Sequence, residues 1–244
     1  GWLLPAGGTM NTLGDIAPHR LVTHAVHKHG AKILLQILHA GRYGYQPFVV
    51  SASPIKSPIS PFKPRQLSDK QILNTIQDYV KTASLAKKAG YDGVEIMGSE
   101  GYLLNQFLSR HVNQRNDRWG GPIENRMRFA VEIVKAIRAE IGDKFIICFR
   151  LSMLDLVEGG STLEEVIQLA QEIEKAGATI INTGIGWHEA RIPTIATKVP
   201  RAAFTWVTEK LKGSVKVPLI TSNRINTPEM AEYVLAAGHA DMVS

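Results

Sequence analysis

Six short apolar runs, each separated from the next by a segment with helical periodicity, limit what this chain can fold into. They are predicted as strands at 32–39, 93–97, 145–151, 179–183, 217–221 and 240–244. The runs are almost continuously apolar rather than alternating, which is typical of parallel strands covered by helices on both faces. Regular repetition of strand and helix leaves a closed barrel or a doubly wound sheet. No G-x-G-x-x-G sequence follows any of these runs, which counts against a dinucleotide-binding Rossmann domain.

The predicted helices begin at recognisable capping residues. Ser68 and Gln71 fit a capping box, and Ser161 with Glu164 fits a second one. Helices are predicted at 18–29, 68–90, 123–141, 161–177, 201–212 and 227–238. The segment 41–67, rich in Pro and Ser, is too irregular for a long element and is predicted as a loop.

Composition places the chain among ordinary globular proteins. Its 244 residues, 44% hydrophobic and 20% charged, suffice for one barrel-sized domain or two small ones. The apolar runs are strand-sized and too short to span a bilayer, and the segment Gly1–Pro5 lacks the features of a signal peptide. Cys148, the single cysteine, lies inside an apolar strand, so an internal disulfide is impossible. A reducing cytoplasm is the expected location.

The charge distribution bears on partners. The formal net charge is +6, but the Lys and Arg residues are scattered through helices and no aromatic ladder accompanies them. A nucleic-acid partner is therefore not expected, and no metal-ligand cluster is predicted. Solvated helix faces explain the charge, with a phosphate-bearing ligand as the alternative.

The segment 91–121, YDGVEIMGSEGYLLNQFLSRHVNQRNDRWGG, couples a strand to a long polar loop. In α/β barrels the chemistry lies on loops that follow the carboxyl ends of strands. The pattern V-E-I-x-G-x-x-G-Y-L-L-N-Q-F-L-S, followed by N-Q-R-x-D-x-W-G-G and N-R-x-R-F, resembles the old yellow enzyme superfamily of flavin oxidoreductases. Within that superfamily the chain is most similar to the bacterial-type 2,4-dienoyl-CoA reductase branch.

The resemblance implies an α/β fold of the (β/α)8 TIM-barrel type. A closed barrel needs eight strands and the sequence predicts six. Alignment by resemblance places them as the third to the eighth, so residues 1–244 would form a partial FMN-binding barrel domain. The missing parts would be the first two strands, the final helix and whatever followed.

Two polar side chains in apolar strands are candidate cofactor ligands. An unpaired buried amide costs about 1–3 kcal/mol, so Gln36 needs a partner, and the charge of Arg150 needs an anion. A neighbouring strand or a trapped water for Gln36, and a structural ion pair for Arg150, are the alternatives to a ligand. The resemblance implies that Gln36 bonds the pyrimidine edge of FMN and that Arg150 reaches the flavin near N1.

Asn223 and Arg224 follow the strand that would be the seventh of the barrel. Loops after the last two strands commonly form the phosphate site of such barrels. Arg224 is therefore predicted to clamp the FMN phosphate, because a guanidinium suits bidentate contacts with oxygen. Asn223 is a second candidate ligand, with helix capping as its alternative.

Tyr102 and His188 are the predicted catalytic pair. Each follows a different strand end and a glycine-containing turn, so both are expected to face one barrel mouth. The resemblance implies that Tyr102 protonates the substrate and that His188 assists. Glu100 either tunes the acidity of Tyr102 or is a surface carboxylate.

The resemblance also assigns residues that line an acyl pocket together with His188. They are His111, Val112, Asn113 and Gln114. The alternative for Asn113 and Gln114 is that they only brace the loop. Glu95, inside a strand, is predicted to belong to an ion pair in the barrel interior.

By resemblance, the expected activity is reduction of the conjugated diene of 2,4-dienoyl-CoA to enoyl-CoA in unsaturated fatty acid β-oxidation. NADPH would be the ultimate donor, acting through FAD and a 4Fe-4S cluster outside this chain. Many enone reductases of the superfamily carry His-x-x-His or His-x-x-Asn where this chain has Met97 and Glu100, which favours the dienoyl-CoA branch. The alternatives are another ene-reductase or an amine or bile-acid oxidoreductase of the superfamily, and a truncated fragment that binds no flavin.

Overall fold

The computed structural model of the protein describes residues 10–244, and the segment Gly1–Pro5 assessed above lies outside the described residues. In chain order the strands of this part are β1 (Leu34–Ile37), β2 (Val50–Ser51), β3 (Arg65–Gln66), β4 (Gly93–Gly98), β5 (Ile146–Leu154), β6 (Ile180–Ile185), β7 (Leu219–Thr221) and β8 (Met242–Val243). The α-helices are α1 (Ile16–His27), α2 (Asp69–Lys88), α3 (Leu103–Leu108), α4 (Ile123–Arg126), α5 (Arg128–Ile141), α6 (Leu163–Lys175), α7 (Thr205–Leu211) and α8 (Pro228–Ala236).

Six strands form one parallel sheet, in the order β1-β4-β5-β6-β7-β8. These are the six predicted runs, each joined to the next by a crossover that contains a helix, as parallel neighbours require. The strands lie side by side in chain order and do not reverse. That order is expected for the wall of a barrel, whereas a doubly wound sheet reverses at a switch point. The segment predicted as a loop holds a second, two-stranded sheet of β2 and β3.

Capping chemistry sets where the helices begin. The predicted box of α2 is confirmed, because Ser68 Oγ accepts the N–H of Gln71 while the Gln71 side chain accepts the N–H of Ser68. Helix α6 begins one residue later than predicted, with Thr162 as its cap and Glu165 closing the box. The sequence STLEE fits the capping pattern in both registers, which explains the error.

The polar segment after β4 is more ordered than predicted. It contains α3, whose six residues are all buried, Asn105 and Gln106 included. The helix predicted at 123–141 is two helices, α4 and α5, with a break at Met127.

The core lies between the sheet and the helices α2, α5 and α6. Along α2, the apolar face predicted from its 3.6-residue period is buried at Ile72, Ile76, Tyr79 and Ala83. Burying a large apolar side chain stabilises the fold by about 1.5–3 kcal/mol, so this face is what fixes α2 against the sheet.

The edge strand β1 departs from expectation. Gln36 was predicted in a buried strand, but its side chain is exposed because β1 is the outermost strand of the described sheet on that side. None of the helices within residues 10–244 is long and apolar enough to cross a bilayer. In the same part of the chain, no three His, Cys, Asp or Glu side chains are grouped as a metal site.

Candidate active site

Loops that follow the carboxyl ends of the strands meet around a cavity of about 270 Å³. Its polar lining comes from Glu100 after β4, Arg150 in β5, His188 after β6 and Asn223 after β7. Apolar side chains from the loop after β6 line the rest. They include Trp187, Ile192 and Ile195. A cleft of about 370 Å³ between α2 and α5 contains none of the predicted site residues.

The predicted catalytic pair is brought together. The Tyr102 hydroxyl lies 2.7 Å from His188 Nε2, and the two rings meet edge to face with centroids 5.0 Å apart. Tyr102 is half-buried and His188 is exposed. Burial raises the pKa of the Tyr102 phenol, and the charge of Glu100 raises it further. The phenol therefore keeps its proton at neutral pH.

Glu100 and Arg150 form an ion pair at the cavity. Glu100 Oε1 accepts from Arg150 Nε at 3.1 Å and from Nη2 at 2.9 Å, while Glu100 Oε2 lies 3.9 Å from His188 Nε2. Glu100 adopts a left-handed backbone with φ of 63°, which is uncommon for a residue with a side chain. The structural ion pair proposed as the alternative for Arg150 is thus present, and its partner is a predicted site residue.

The loop that carries Glu100 and Tyr102 is fixed by α3. Gln106 Nε2 donates to the Gly101 carbonyl at 2.7 Å, and Asn105 Oδ1 accepts the Gly101 N–H at 2.9 Å. Asn105 Nδ2 in turn donates to the buried Asp155 at 3.1 Å. Because both the oxygen and the nitrogen of each buried amide are hydrogen-bonded, the loop has one hydrogen-bonded arrangement.

A buried carboxylate next to His188 was missed by the sequence reasoning. Glu189 accepts four hydrogen bonds, from Arg42 Nη2 at 2.6 Å, His111 Nε2 at 2.8 Å, Tyr43 Oη at 2.8 Å and Ser57 Oγ at 2.9 Å. The Arg42 and Glu189 side chains are only 1% and 4% exposed. Positions 42 and 189 are far apart in the chain, so no spacing signal connects them.

Gln36 lies lower on the barrel wall and bonds a neighbouring strand. Its Nε2 donates to Glu95 Oε2 at 2.7 Å, and Glu95 Oε1 accepts from Asn182 Nδ2 at 2.7 Å. Cys148 Sγ lies 3.6 Å from the same Glu95 oxygen. The described residues give Glu95 no ion pair, so the predicted ion-pair role is replaced by a hydrogen-bonded cluster.

Asn223 and Arg224 form a sharp turn after β7, with φ of 72° and 63°. Arg224 Nε donates to the Val199 carbonyl at 2.8 Å and Nη2 to the Thr197 carbonyl at 3.2 Å. Asn223 Oδ1 accepts from Ser222 Oγ at 2.9 Å. Arg224 thereby ties this turn to the loop after β6.

The four residues assigned to the acyl pocket have different surroundings. His111 is bonded to Glu189, and Val112 is completely buried. Asn113 Nδ2 donates to the Phe107 carbonyl at 2.6 Å and to the Trp119 carbonyl at 2.8 Å, which is the bracing alternative. Gln114 is exposed, and its backbone N–H donates to Ser53. None of the four lines the 270 Å³ cavity.

The residues assigned to FMN fit that group by their unused hydrogen-bonding atoms. Within residues 10–244, Gln36 Oε1, Arg150 Nη1 and Arg224 Nη1 make no hydrogen bond, although other atoms of each side chain do. An amide and two guanidinium groups are side chains that could hold the pyrimidine edge, a ring nitrogen and the phosphate of a flavin nucleotide. The three lie on β1, on β5 and after β7.

Comparisons with known proteins agree with this architecture. The chain is 40% identical over 228 residues to a metal reductase of Desulforamulus reducens, covering 92% of this chain and 34% of that protein. It is 39% identical to an NADH oxidase of Thermoanaerobacter brockii, covering 91% of this chain and 35% of that protein. A solved structure of 2-naphthoyl-CoA reductase with 2-naphthoyl-CoA superposes with a TM-score of 0.90 at 32% identity, covering 94% of this chain and 38% of that one.

The chain thus spans about a third of the length of these relatives. The structural neighbours are old yellow enzyme barrels, which confirms the predicted fold class. Residues 4–244 match the NADH:flavin oxidoreductase / NADH oxidase family, whose members are FMN-dependent oxidoreductases. The chain belongs to that family.

Proposed function

We propose that this chain forms the FMN-binding catalytic part of a reductase that acts on conjugated carbon–carbon double bonds of acyl-CoA thioesters, with 2,4-dienoyl-CoA as the main substrate. NADPH is the ultimate donor in this proposal, and FAD and a 4Fe-4S cluster in a longer protein pass its electrons on. The proposal also includes the cytoplasm as the location of the enzyme.

The observation that carries the proposal is the 2.7 Å contact between Tyr102 Oη and His188 Nε2 beside the cavity. Reduction of a conjugated thioester needs a hydride at one carbon and a proton at another. A phenol that keeps its proton at neutral pH, with an imidazole within hydrogen-bond reach, is a general acid with a route for reprotonation.

In this proposal FMN, when bound, supplies the hydride. Addition of hydride to the far end of the diene leaves a dienolate, and Tyr102 donates the proton that completes the enoyl-CoA. His188, which is exposed, then relays a proton from solvent to the Tyr102 oxygen across the 2.7 Å contact. Glu100 holds Arg150 with one oxygen and faces His188 Nε2 with the other, so it orients both side chains at the cavity.

Three observations favour an acyl-CoA over a small polar substrate. Ile192 and Ile195 line the cavity and are 56% and 76% exposed, so they offer apolar surface to an acyl chain. The net charge of +6 suits the phosphates of coenzyme A. One structural neighbour was solved with a naphthoyl-CoA thioester. We assign His111, Val112, Asn113 and Gln114 to the wall behind this acyl site.

A substrate screen tests the proposal. The natural full-length, FMN-loaded protein should reoxidise its reduced flavin with 2,4-dienoyl-CoA much faster than with simple enones, bile-acid precursors or methylamines. Because a 4Fe-4S cluster passes on electrons and not hydrogen, both hydrogens added to the product should come from solvent and none from NADPH, as followed by deuterium labelling. Faster turnover of an enone or an amine than of every acyl-CoA would overturn the assignment.

A further inference from the structure

We propose that Glu189 is the positioning residue of the Tyr102–His188 pair. One of its carboxylate oxygens holds Tyr43, which packs against both rings, and the other holds two side chains that pack against Trp187, the residue before His188. The inference rests on the proposed function only for the catalytic roles of Tyr102 and His188. Glu189 does not line the 270 Å³ cavity, so it acts through its neighbours and not on the substrate.

The first oxygen of Glu189 holds the two neighbours of Trp187. Oε1 accepts from Arg42 and from His111. The Arg42 guanidinium carbon lies 5.7 Å from the Trp187 ring centroid, and the His111 ring meets Trp187 edge to face at 5.5 Å. Trp187 Nε1 is buried and has no hydrogen-bond partner in the described residues. Packing therefore places the side chain of Trp187, which directly precedes His188.

The second oxygen holds Tyr43, which touches both catalytic rings. Oε2 accepts from the Tyr43 hydroxyl at 2.8 Å. The Tyr43 ring lies edge-on to Tyr102 at 6.0 Å and to His188 at 5.9 Å. Together with the Tyr102–His188 contact this makes a closed set of three rings, of which only Tyr43 is anchored to a buried charge.

A glycine makes the packing tight. A Cβ atom on Gly101 would lie 2.6 Å from Tyr43 Oη and 2.7 Å from the Trp187 ring, and Gly101 has φ of 81°. Gly101 precedes Tyr102, so the Tyr43 and Trp187 side chains close over the backbone that presents the phenol. A shift of either side chain is transmitted directly to Tyr102 or His188.

The electrostatics of Glu189 fit positioning and not proton transfer. Burial by itself would raise the pKa of Glu189. The hydrogen bond from His111, the charge of Arg42 and the hydroxyls of Tyr43 and Ser57 outweigh burial and lower that pKa. The carboxylate is thus charged at neutral pH, and both of its oxygens are already occupied by two donors each.

The test compares Glu189→Gln with Glu165→Gln in the natural full-length, FMN-loaded protein. Glu165 is a matched control, because it is also buried and bound by arginines, here Arg126 and Arg110, but it touches neither ring. With 2,4-dienoyl-CoA, Glu189→Gln should lower kcat roughly 10- to 100-fold and change KM less than about twofold, as expected for a misplaced acid. Glu165→Gln should leave both within about twofold.

A second readout needs no substrate and separates this inference from the proposed function. Protein labelled with ¹³C at the tyrosine ring carbon that bears the hydroxyl reports ionisation of Tyr102, whose resonance is assigned with Tyr102→Phe. Because burial raises the pKa of Tyr102, loosening Tyr43 should lower that pKa. The ionised fraction of Tyr102 at alkaline pH should then rise in Glu189→Gln and stay at the parent value in Glu165→Gln.

The two readouts give decisive outcomes. An unchanged Tyr102 titration and an unchanged kcat in Glu189→Gln overturn the positioning role, even if dienoyl-CoA proves to be the substrate. A shifted titration supports it, even if the parent reduces no dienoyl-CoA. If Glu189→Gln does not fold, Tyr43→Phe replaces it, with Tyr79→Phe as a control that also removes a buried hydroxyl. Equal effects of the two tyrosine variants on kcat and on the Tyr102 titration overturn the proposal.

Discussion

Two arginine–glutamate pairs lie within one site, and they differ in almost every physical respect. The Arg42–Glu189 side chains are 1% and 4% exposed, and Glu189 has every acceptor position filled. The Arg150–Glu100 side chains are 15% and 23% exposed, line the cavity and leave Arg150 Nη1 without a bond in the described residues. We call Arg42–Glu189 the closed pair, since its buried carboxylate has no acceptor position left, and Arg150–Glu100 the open pair, since it keeps an unused donor at the cavity.

The difference in exposure indicates that the two pairs have different roles at this edge of the barrel. Breaking a buried pair leaves an uncompensated charge, so such a pair holds one geometry. A partly exposed pair contributes less to stability and exchanges partners at lower free-energy cost than a buried one, which suits a group that contacts cofactor or substrate. We therefore assign architecture to Arg42–Glu189, and chemistry to Arg150–Glu100 with its neighbours Tyr102 and His188.

The largest expected effect is on the catalytic rate, through Tyr102, which lies next to the open Arg150–Glu100 pair. Tyr102→Phe keeps the ring and removes the proton, so kcat with 2,4-dienoyl-CoA should fall roughly 10²- to 10⁴-fold. The free energy of unfolding should stay close to the parent value, since no architectural bond is lost. Stopped-flow flavin reoxidation, product analysis and urea unfolding measure the three quantities.

His188→Ala should slow the same step, and the double variant should be little worse than the poorer single one, because residues that act as a unit are not additive. Turnover of Tyr102→Phe at the parent rate with the same product would make the tyrosine structural. The catalytic role assigned to the residues around the Arg150–Glu100 pair would then be wrong.

The next effect is on stability and belongs to the closed pair. Arg42→Ala should lower the free energy of unfolding by about 3–5 kcal/mol, because it leaves the Glu189 charge buried without its cation. Arg150→Ala should lower it by less than about 1 kcal/mol, because solvent screens the Glu100 charge. Urea unfolding of flavin-free protein measures both without a contribution from bound FMN. Equal losses of unfolding free energy in the two variants would show that the two pairs do not differ in their contribution to stability.

The sequence brought out residues of the open pair's surroundings but not Glu189. Strand ends and glycine turns led us to expect Tyr102 and His188 at one barrel mouth, because strand direction determines which loops meet, and the structure brings them together. For Glu100 and Arg150 the sequence left a surface position and an ion pair open, and the structure shows them paired. The buried position of Glu189 was not predicted, because its partners lie in the segment 41–67 and at His111. No periodicity in the sequence connects side chains across three loops. From the sequence alone, a charged residue such as Glu189 is also expected to lie on the surface.

The fold shows the same division. The positions of the six sheet strands and the cap of α2 followed from local rules, since each depends on residues a few positions apart. Helix α3 did not, because six residues are too few to display a period and Asn105 and Gln106 read as loop residues. Burial of its apolar residues in the core and the hydrogen bonds that these amides make with Gly101 and Asp155 stabilise the helix.

A smaller effect tests the third arginine of the site. Arg224→Ala should weaken FMN binding roughly 10- to 100-fold, the loss expected for a charge-assisted contact with phosphate, and more than Asn223→Ala. Arg138→Ala is the matched control, since Arg138 also donates to several backbone carbonyls but lies at the end of α5. Equilibrium dialysis of FMN against each full-length variant measures the affinities. Equal effects of Arg224→Ala and Asn223→Ala would remove the phosphate-clamp assignment.

The smallest effect is the pH dependence of the closed pair. The folded pKa of Glu189 lies below its ordinary value, because the hydrogen bond from His111 and the charge of Arg42 outweigh burial. Such a carboxyl contributes stability above its unfolded pKa of about 4.3, and that contribution is lost as the pH falls through the folded pKa. The parent should therefore lose more unfolding free energy between about pH 6 and pH 3 than Glu189→Gln does, so that the gap between them narrows in acid. Tyr79→Phe, which removes no carboxyl, should run parallel to the parent in urea unfolding at each pH. Parallel curves for Glu189→Gln as well would mean that Glu189 has the same pKa folded and unfolded, and the closed pair would not be held by charge.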